Sequence, residues 1–252
     1  MRHTSVLITG AAGGIGAAIA RQALALRASR LILIDADMPG LEALADEFDP
    51  TGVETTCLQC DLSNASDVED TYTSAATVGY DYCFNNAGMV AGPPDFPDFD
   101  PQWIARLIAV NLTAVVLGTG YAIRHLKQRG GGAIVNTGST SALKPAPADA
   151  PYRASKAGVL FLTECCRSLA ETTKVRVNSI VPGVTDTPIL NDLAEGAVAP
   201  GWLGAITRDI RIWTPDEIAR KAIELAQDTT SFGQNLVLFN ESRDHSGSAT
   251  NI

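Results

Sequence analysis

The sequence has no run of lysine or arginine. Its 19 basic residues are outnumbered by 28 acidic ones, for a formal charge of −9. Nucleic acid demands a basic surface to neutralise phosphates, so it is excluded as the main partner. Histidines are scarce, at 3, 125 and 245, and too scattered for a ligand cluster. The five cysteines, at 57, 60, 83, 165 and 166, are an odd number and do not form a disulfide framework. Cys57 and Cys60 have C-x-x-C spacing in a stretch that reads as a strand. There an odd separation sends them to opposite faces, and no second pair completes a zinc site, so no metal is expected. No charge-free apolar stretch reaches membrane-spanning length, so no membrane partner is expected. The start shows no basic region leading into a long apolar stretch. This sets the expectation of no secretory signal and of a reducing, cytoplasmic setting.

What is present is apolar chain: 46% of the 252 residues, with 22 glycines and 13 prolines. That suffices for one substantial core, and a single domain over 1–252 is expected. Short apolar runs occur at 5–9, 30–34, 53–58, 80–84, 133–137, 175–181 and 235–239. Helical patterns lie between them at 14–27, 38–48, 64–77, 101–128, 151–173 and 215–228. The runs are continuously apolar, as in strands buried on both faces. The alternation predicts an α/β chain: a Rossmann-type, doubly wound fold with a seven-stranded, mainly parallel sheet and helices on both faces. Two segments interrupt the rhythm. One is a Gly/Pro/Asp-rich loop at 88–101, the other a long excursion at 185–214, read as a substrate lid. Both follow carboxyl ends of strands, where open parallel sheets bind ligands. A polar tail occupies about 241–252.

The first strand runs into T-G-A-A-G-G-I-G, with Gly10, Gly13, Gly14 and Gly16, and Ile15 already in the helix that follows. Glycines permit a tight turn and close backbone approach to a pyrophosphate, and the helix N-terminus offers free N–H groups. The strand–turn–helix context makes the motif specific. Asp35 ends the second strand, 19 residues beyond Gly16. That is the distance for a carboxylate on an adenosine ribose, where it accepts from the hydroxyls and repels a 2′-phosphate. Ala36 and Gly13 stand where a basic side chain could have attracted that phosphate. NAD is therefore expected over NADP. Asp37 either shares this role or caps the next helix.

The fifth strand leads to Ser139. Thirteen residues later comes Y-R-A-S-K, with Tyr152 and Lys156 sharing a helix face at i and i+4. Bringing a tyrosine from its usual pKa of about 10 to about 7 needs roughly 4 kcal/mol in favour of the phenolate. An ammonium about 4 Å away, at an effective dielectric of about 20, supplies about that much. The pair therefore makes sense as an acid/base unit.

The glycine motif, Asp35, Asn85-Asn86-Ala87-Gly88, Asn111, Ser139, Tyr152-x-x-x-Lys156 and Pro182-Gly183 occur in one order. Together they resemble the short-chain dehydrogenase/reductase family, in its compact single-domain branch. The resemblance implies an NAD(H)-dependent oxidoreductase moving hydride between nicotinamide and a secondary alcohol or ketone. Ser139 would hold the reacting oxygen and Tyr152 would exchange its proton. Lys156 would tune Tyr152 and hold the nicotinamide ribose, and Asn111 would anchor a water. Asp61 and Leu62 would contact the adenine, and Asn86, Ala87 and Gly88 the adenosine side. Pro182, Gly183, Thr185 and Thr187 would line the nicotinamide. A homodimer or homotetramer through the 101–128 and 151–173 helices is implied too. The sequence departs from the family after the last strand: many members carry an aspartate and paired glycines there, and this chain reads Val237-Leu238-Phe239-Asn240-Glu241-Ser242-Arg243.

Substrate contacts are expected from Ser139, Asp149 and Tyr152, and from Leu190 and Trp202 in the lid. Apolar lid residues suggest an apolar or cyclic alcohol or ketone. The competing reading is a catalytically silent NAD-binding sensor or scaffold, since fold alone does not fix function. The intact Asn111, Ser139, Tyr152 and Lys156 set argues against it.

Overall fold

The computed structural model describes residues 1, 3–90, 96–147, 149–188 and 208–242. Leu190, Trp202, most of the lid and most of the tail therefore lie outside the described residues. Seven strands form one sheet: β1 (Ser5–Thr9), β2 (Arg30–Asp35), β3 (Glu54–Gln59), β4 (Tyr82–Asn85), β5 (Gly132–Thr137), β6 (Val175–Pro182) and β7 (Asn235–Leu238). Their order is β3-β2-β1-β4-β5-β6-β7, and every neighbouring pair is parallel. The order reverses between β1 and β4, which opens a crevice at the strands' carboxyl ends.

The crossovers are helical: α1 (Gly14–Ala25), α2 (Met38–Phe48), α3 (Ala65–Val78), α4 (Pro101–Ile108), α5 (Ala114–Gln128), α6 (Ala150–Cys165), α7 (Leu169–Thr173) and α8 (Pro215–Gln227). Strand side chains alternate between two cores. Val6, Ile8, Leu31 and Leu33 pack with α1, α2 and α8, and α1 lies directly against α8. Leu7, Ile32, Ile34 and Ile134 pack on the opposite face with α3 and α5. Cys57 packs in the first core and Cys60 in the second, on opposite faces. No group of three or more side chains able to hold a metal occurs among the described residues.

Local chemistry sets the helix starts. Asp37 accepts from Gly40 N at 3.2 Å, Asn64 from Ser66 N at 3.0 Å and Asp100 from Gln102 N at 2.8 Å. Thr214 and Glu217 form a reciprocal capping box on α8.

Three local expectations change. The 151–173 helix is two helices, parted at 166–168, where Cys166 turns into the core and the Arg167 guanidinium donates to the Gly233 carbonyl. Tyr80 precedes β4, its ring tilted against that of His125 with centroids 4.2 Å apart. The 101–128 stretch is, by length and composition alone, long and apolar enough to cross a membrane. In this fold it packs against α3 and the sheet, with charges at both ends. Its α4 and α5 are joined by a π-helical turn, Ala109–Thr113.

Candidate active site

After β1 the chain turns into α1. Gly10 has φ +67°, and a Cβ there would sit 2.7 Å from the Ala87 Cα beyond β4. A Cβ on Gly16 would collide with the Gly10 carbonyl, so only glycine lets turn and helix close together. Gly13 has more room, its nearest neighbour lying 3.5 Å from a Cβ. It heads α1 without a side-chain cap, and the first turn carries no acidic residue. The opening N–H groups are thus left for an anion, and Gly14 and Ile15 line the cleft beside them.

Asp35 closes β2. Its carboxylate accepts from Ala12 N and Asp37 N, both at 3.1 Å, which fixes it at the rim of the turn. Asp37 caps α2 and also lines the cleft. Asp61 and Leu62 follow β3. Asp61 accepts from Ser63 N at 3.0 Å, Ser63 Oγ at 2.7 Å and the Arg106 guanidinium at 3.2 Å. The Ser63 bonds, and behind them Arg106, hold its carboxyl below the usual range.

Asn86 and Ala87 donate their N–H groups to Thr9 Oγ1 at 3.0 and 3.2 Å, pinning β4's end to β1's. Beneath them lies a buried polar chain. Asn85 Nδ2 donates to Asn136 Oδ1 at 2.8 Å, Tyr72 donates to Asn85 Oδ1 at 2.5 Å, and Asn136 Nδ2 donates to Thr163 Oγ1 at 3.3 Å. Fully satisfied networks of this kind rigidify what rests on them.

Ser139 lies two residues past β5, and its Oγ accepts from Ser141 N at 3.1 Å. It also hydrogen-bonds the Tyr152 hydroxyl. Lys156, 3% exposed, donates from Nζ to the Thr137 carbonyl at 2.9 Å and lies 5.9 Å from the Tyr152 ring centre. The electrostatics differ from the expectation drawn from spacing. Protein crowding pushes the Tyr152 phenol up, against a downward pull from the Ser139 bond. Burial brings the Lys156 ammonium down to about 8. The cause is desolvation of both groups, together with an ammonium bonded to Thr137 rather than to the phenol.

Asn111 sits in the π-turn, fully buried. Its amide pairs with Met89, accepting from N and donating to O at 2.8 Å each, and donates to Ser155 Oγ at 3.3 Å. Ser155 in turn bonds the Tyr152 carbonyl at 2.7 Å. The side chain thus fastens the loop after β4 to α6. A Cβ on Gly88 would sit 3.2 Å from Lys156 Nζ and 3.4 Å from Asn111 Oδ1. Past β6, Thr185 donates to the Gly183 carbonyl at 3.0 Å and Thr187 to the Thr185 carbonyl at 3.4 Å. Asp149 heads α6 in the left-handed region, φ +58°, and its charge opposes ionisation of Tyr152.

All these parts meet in one cleft of about 760 Å³ at the strands' carboxyl ends. It gathers the expected cofactor residues other than Gly16, together with Ser139, Asp149, Tyr152 and Lys156. Gly16 and Asn111 stand behind its wall. The sequence reading missed Thr9, Thr137, Ser155 and Arg106. Their signals are single polar residues at strand ends or on helices, without a spacing pattern.

The family model described as short chain dehydrogenase matches residues 4–197. The 3beta-hydroxysteroid dehydrogenase 2 of Eggerthella lenta is 35% identical, over 94% of this chain and 96% of its own. The cis-4-hydroxycyclohexanecarboxylate dehydrogenase of Sinomonas cyclohexanicum is 31% identical, over 92% of each. Among solved structures, 3-ketoacyl-(acyl-carrier-protein) reductase from Brucella melitensis, complexed with NADH, superposes with a TM-score of 0.82. It is 27% identical and covers 94% of this chain and 97% of its own.

Proposed function

Since the chain belongs to the short-chain dehydrogenase/reductase family of nicotinamide-dependent oxidoreductases, we propose that it is an NAD(H)-dependent enzyme interconverting an apolar or cyclic secondary alcohol and its ketone. One observation carries this. The glycine turn with Asp35, and the Ser139–Tyr152–Lys156 group, open into the same cleft.

The residues present fit the cofactor. The uncapped start of α1 suits a pyrophosphate, and Gly10, Gly13 and Gly14 keep the cleft-lining turn free of side chains. Asp35 takes the ribose hydroxyls, Asp61 and Leu62 the adenine, and Gly183, Thr185 and Thr187 the carboxamide. When bound, the nicotinamide supplies the hydride acceptor or donor. Ser139 holds the substrate oxygen. Tyr152 takes the hydroxyl proton during oxidation and returns it during reduction. Lys156, held by the Thr137 carbonyl, would hold the nicotinamide ribose. Asp149 faces a second polar group of the substrate. The ring alcohols in the names of two relatives support a cyclic substrate.

The test is nicotinamide absorbance with a panel of cyclic and open-chain secondary alcohols, with NAD or NADP, across pH. NAD reduction is expected, fastest with ring alcohols. Oxidation needs Tyr152 free of its proton, so its rate should rise with pH as the phenol ionises, while ketone reduction falls. No turnover across the panel, with NADH binding confirmed, would defeat the reading.

Two helices support an assembly between copies. Val116 on α5 and Phe161 on α6 are exposed, Phe161 by 68%. A second copy of this chain would cover them, giving a homodimer or homotetramer. Light scattering that returns a monomer at micromolar concentration would refute this.

A further inference from the structure

We propose that Asn240 is a positioning residue for the nicotinamide end of the cleft, a role that rests on assigning residues 183–187 to the carboxamide. Asn240 lies two residues beyond β7. Its Oδ1 accepts from Val184 N at 2.7 Å, while Nδ2 donates to the carbonyls of Val184 at 2.8 Å and Arg211 at 2.9 Å. One amide therefore joins the chain leaving β6 to the chain returning toward α8.

The surroundings are built for this contact. Gly183 has no Cβ, and one placed there would collide with Asn240 Oδ1. Gly183 N donates to the Leu238 carbonyl at 2.9 Å, and Arg211 N to the Glu241 carbonyl at 2.8 Å. Trp213 N donates to Val184 O at 3.0 Å, and Asp186 N to Trp213 O at 2.9 Å. Gly183, Val184 and Thr185 line the cleft directly. Asn240 does not touch the cleft. It sets the path of the backbone that does.

The residue type is demanded by the contacts. One planar group must accept once and donate twice at fixed spacing, and an amide does so. A carboxylate of the same shape keeps the acceptor but turns a second oxygen toward two carbonyls.

The test compares NADH with ADP-ribose, which shares every part of NADH except the nicotinamide. Asn240→Asp and Asn240→Ala should bind NADH roughly tenfold more weakly, the scale of one or two lost hydrogen bonds. Their affinity for ADP-ribose should stay as in the wild type, and the KM for NAD should rise more than kcat falls. Thr187→Val, run in parallel, tests the carboxamide assignment itself. If it leaves the NADH to ADP-ribose affinity ratio unchanged, that assignment fails and the Asn240 role falls with it. If it lowers the ratio and neither Asn240 variant does, the assignment stands and the positioning role is overturned. Equal loss of both ligands in the Asn240 variants, with a lowered Tm, also overturns it.

Discussion

Tyr152→Phe is expected to lower kcat by roughly three to four orders of magnitude, the upper range of a positioned proton donor. NADH affinity should stay within about twofold of the wild type. The substitution removes one oxygen. The ring stays on α6 in the cleft, and what disappears is the hydroxyl bonded to Ser139. Phenylalanine makes no demand that the site cannot meet, since Ser139 Oγ keeps its bond from Ser141 N. Initial rates with the best alcohol of the panel, alongside NADH fluorescence titration, separate chemistry from binding. Turnover above a tenth of the wild type would remove Tyr152 from proton transfer.

Asp35→Asn should relax the choice between NAD and NADP by about a hundredfold. A carboxylate and a phosphate charge about 5 Å apart, at an effective dielectric of about 20, repel by about 3 kcal/mol. Asparagine removes that charge and keeps a similar shape. The distinction matters because Asp35 also holds the turn, through Ala12 N and Asp37 N. Asp35→Ala would remove both functions and weaken NAD as well, so its larger effect would be harder to assign. The measurement is kcat/KM for each cofactor. An unchanged ratio in Asp35→Asn would end the ribose assignment.

Much of the fold was legible because buried parallel strands are continuously apolar and their helices have capped starts. The cleft was legible for a related reason: its turn, its carboxylate and its Tyr–Lys pair each sit within a short stretch whose spacing carries the geometry. What escaped depends on distant segments meeting. Arg106 reaches Asp61 across 45 positions, and Asn240 reaches Val184 across 56. No local pattern announces either. The break between α6 and α7 was invisible because no glycine or proline marks it, and burial of Cys166 decides it instead. The charge balance at Tyr152 misled for a physical reason. Spacing on a helix places an ammonium near a phenol, but it does not reveal that Thr137 claims the ammonium or that both groups lose water.

The contact between α1 and α8 bears on how the protein is made. The glycine turn leaves the ribosome well before the helix that packs against α1. Ala17, Ala20 and Ala23 of α1 share a core with Ile218, Ala219 and Ala222 of α8. Until Pro215–Gln227 has emerged, the alanine face of α1 lacks this part of its cover. A firm seat for the turn is thus expected only once α8 has joined it, so a nascent chain halted before residue 215 would hold that turn loosely.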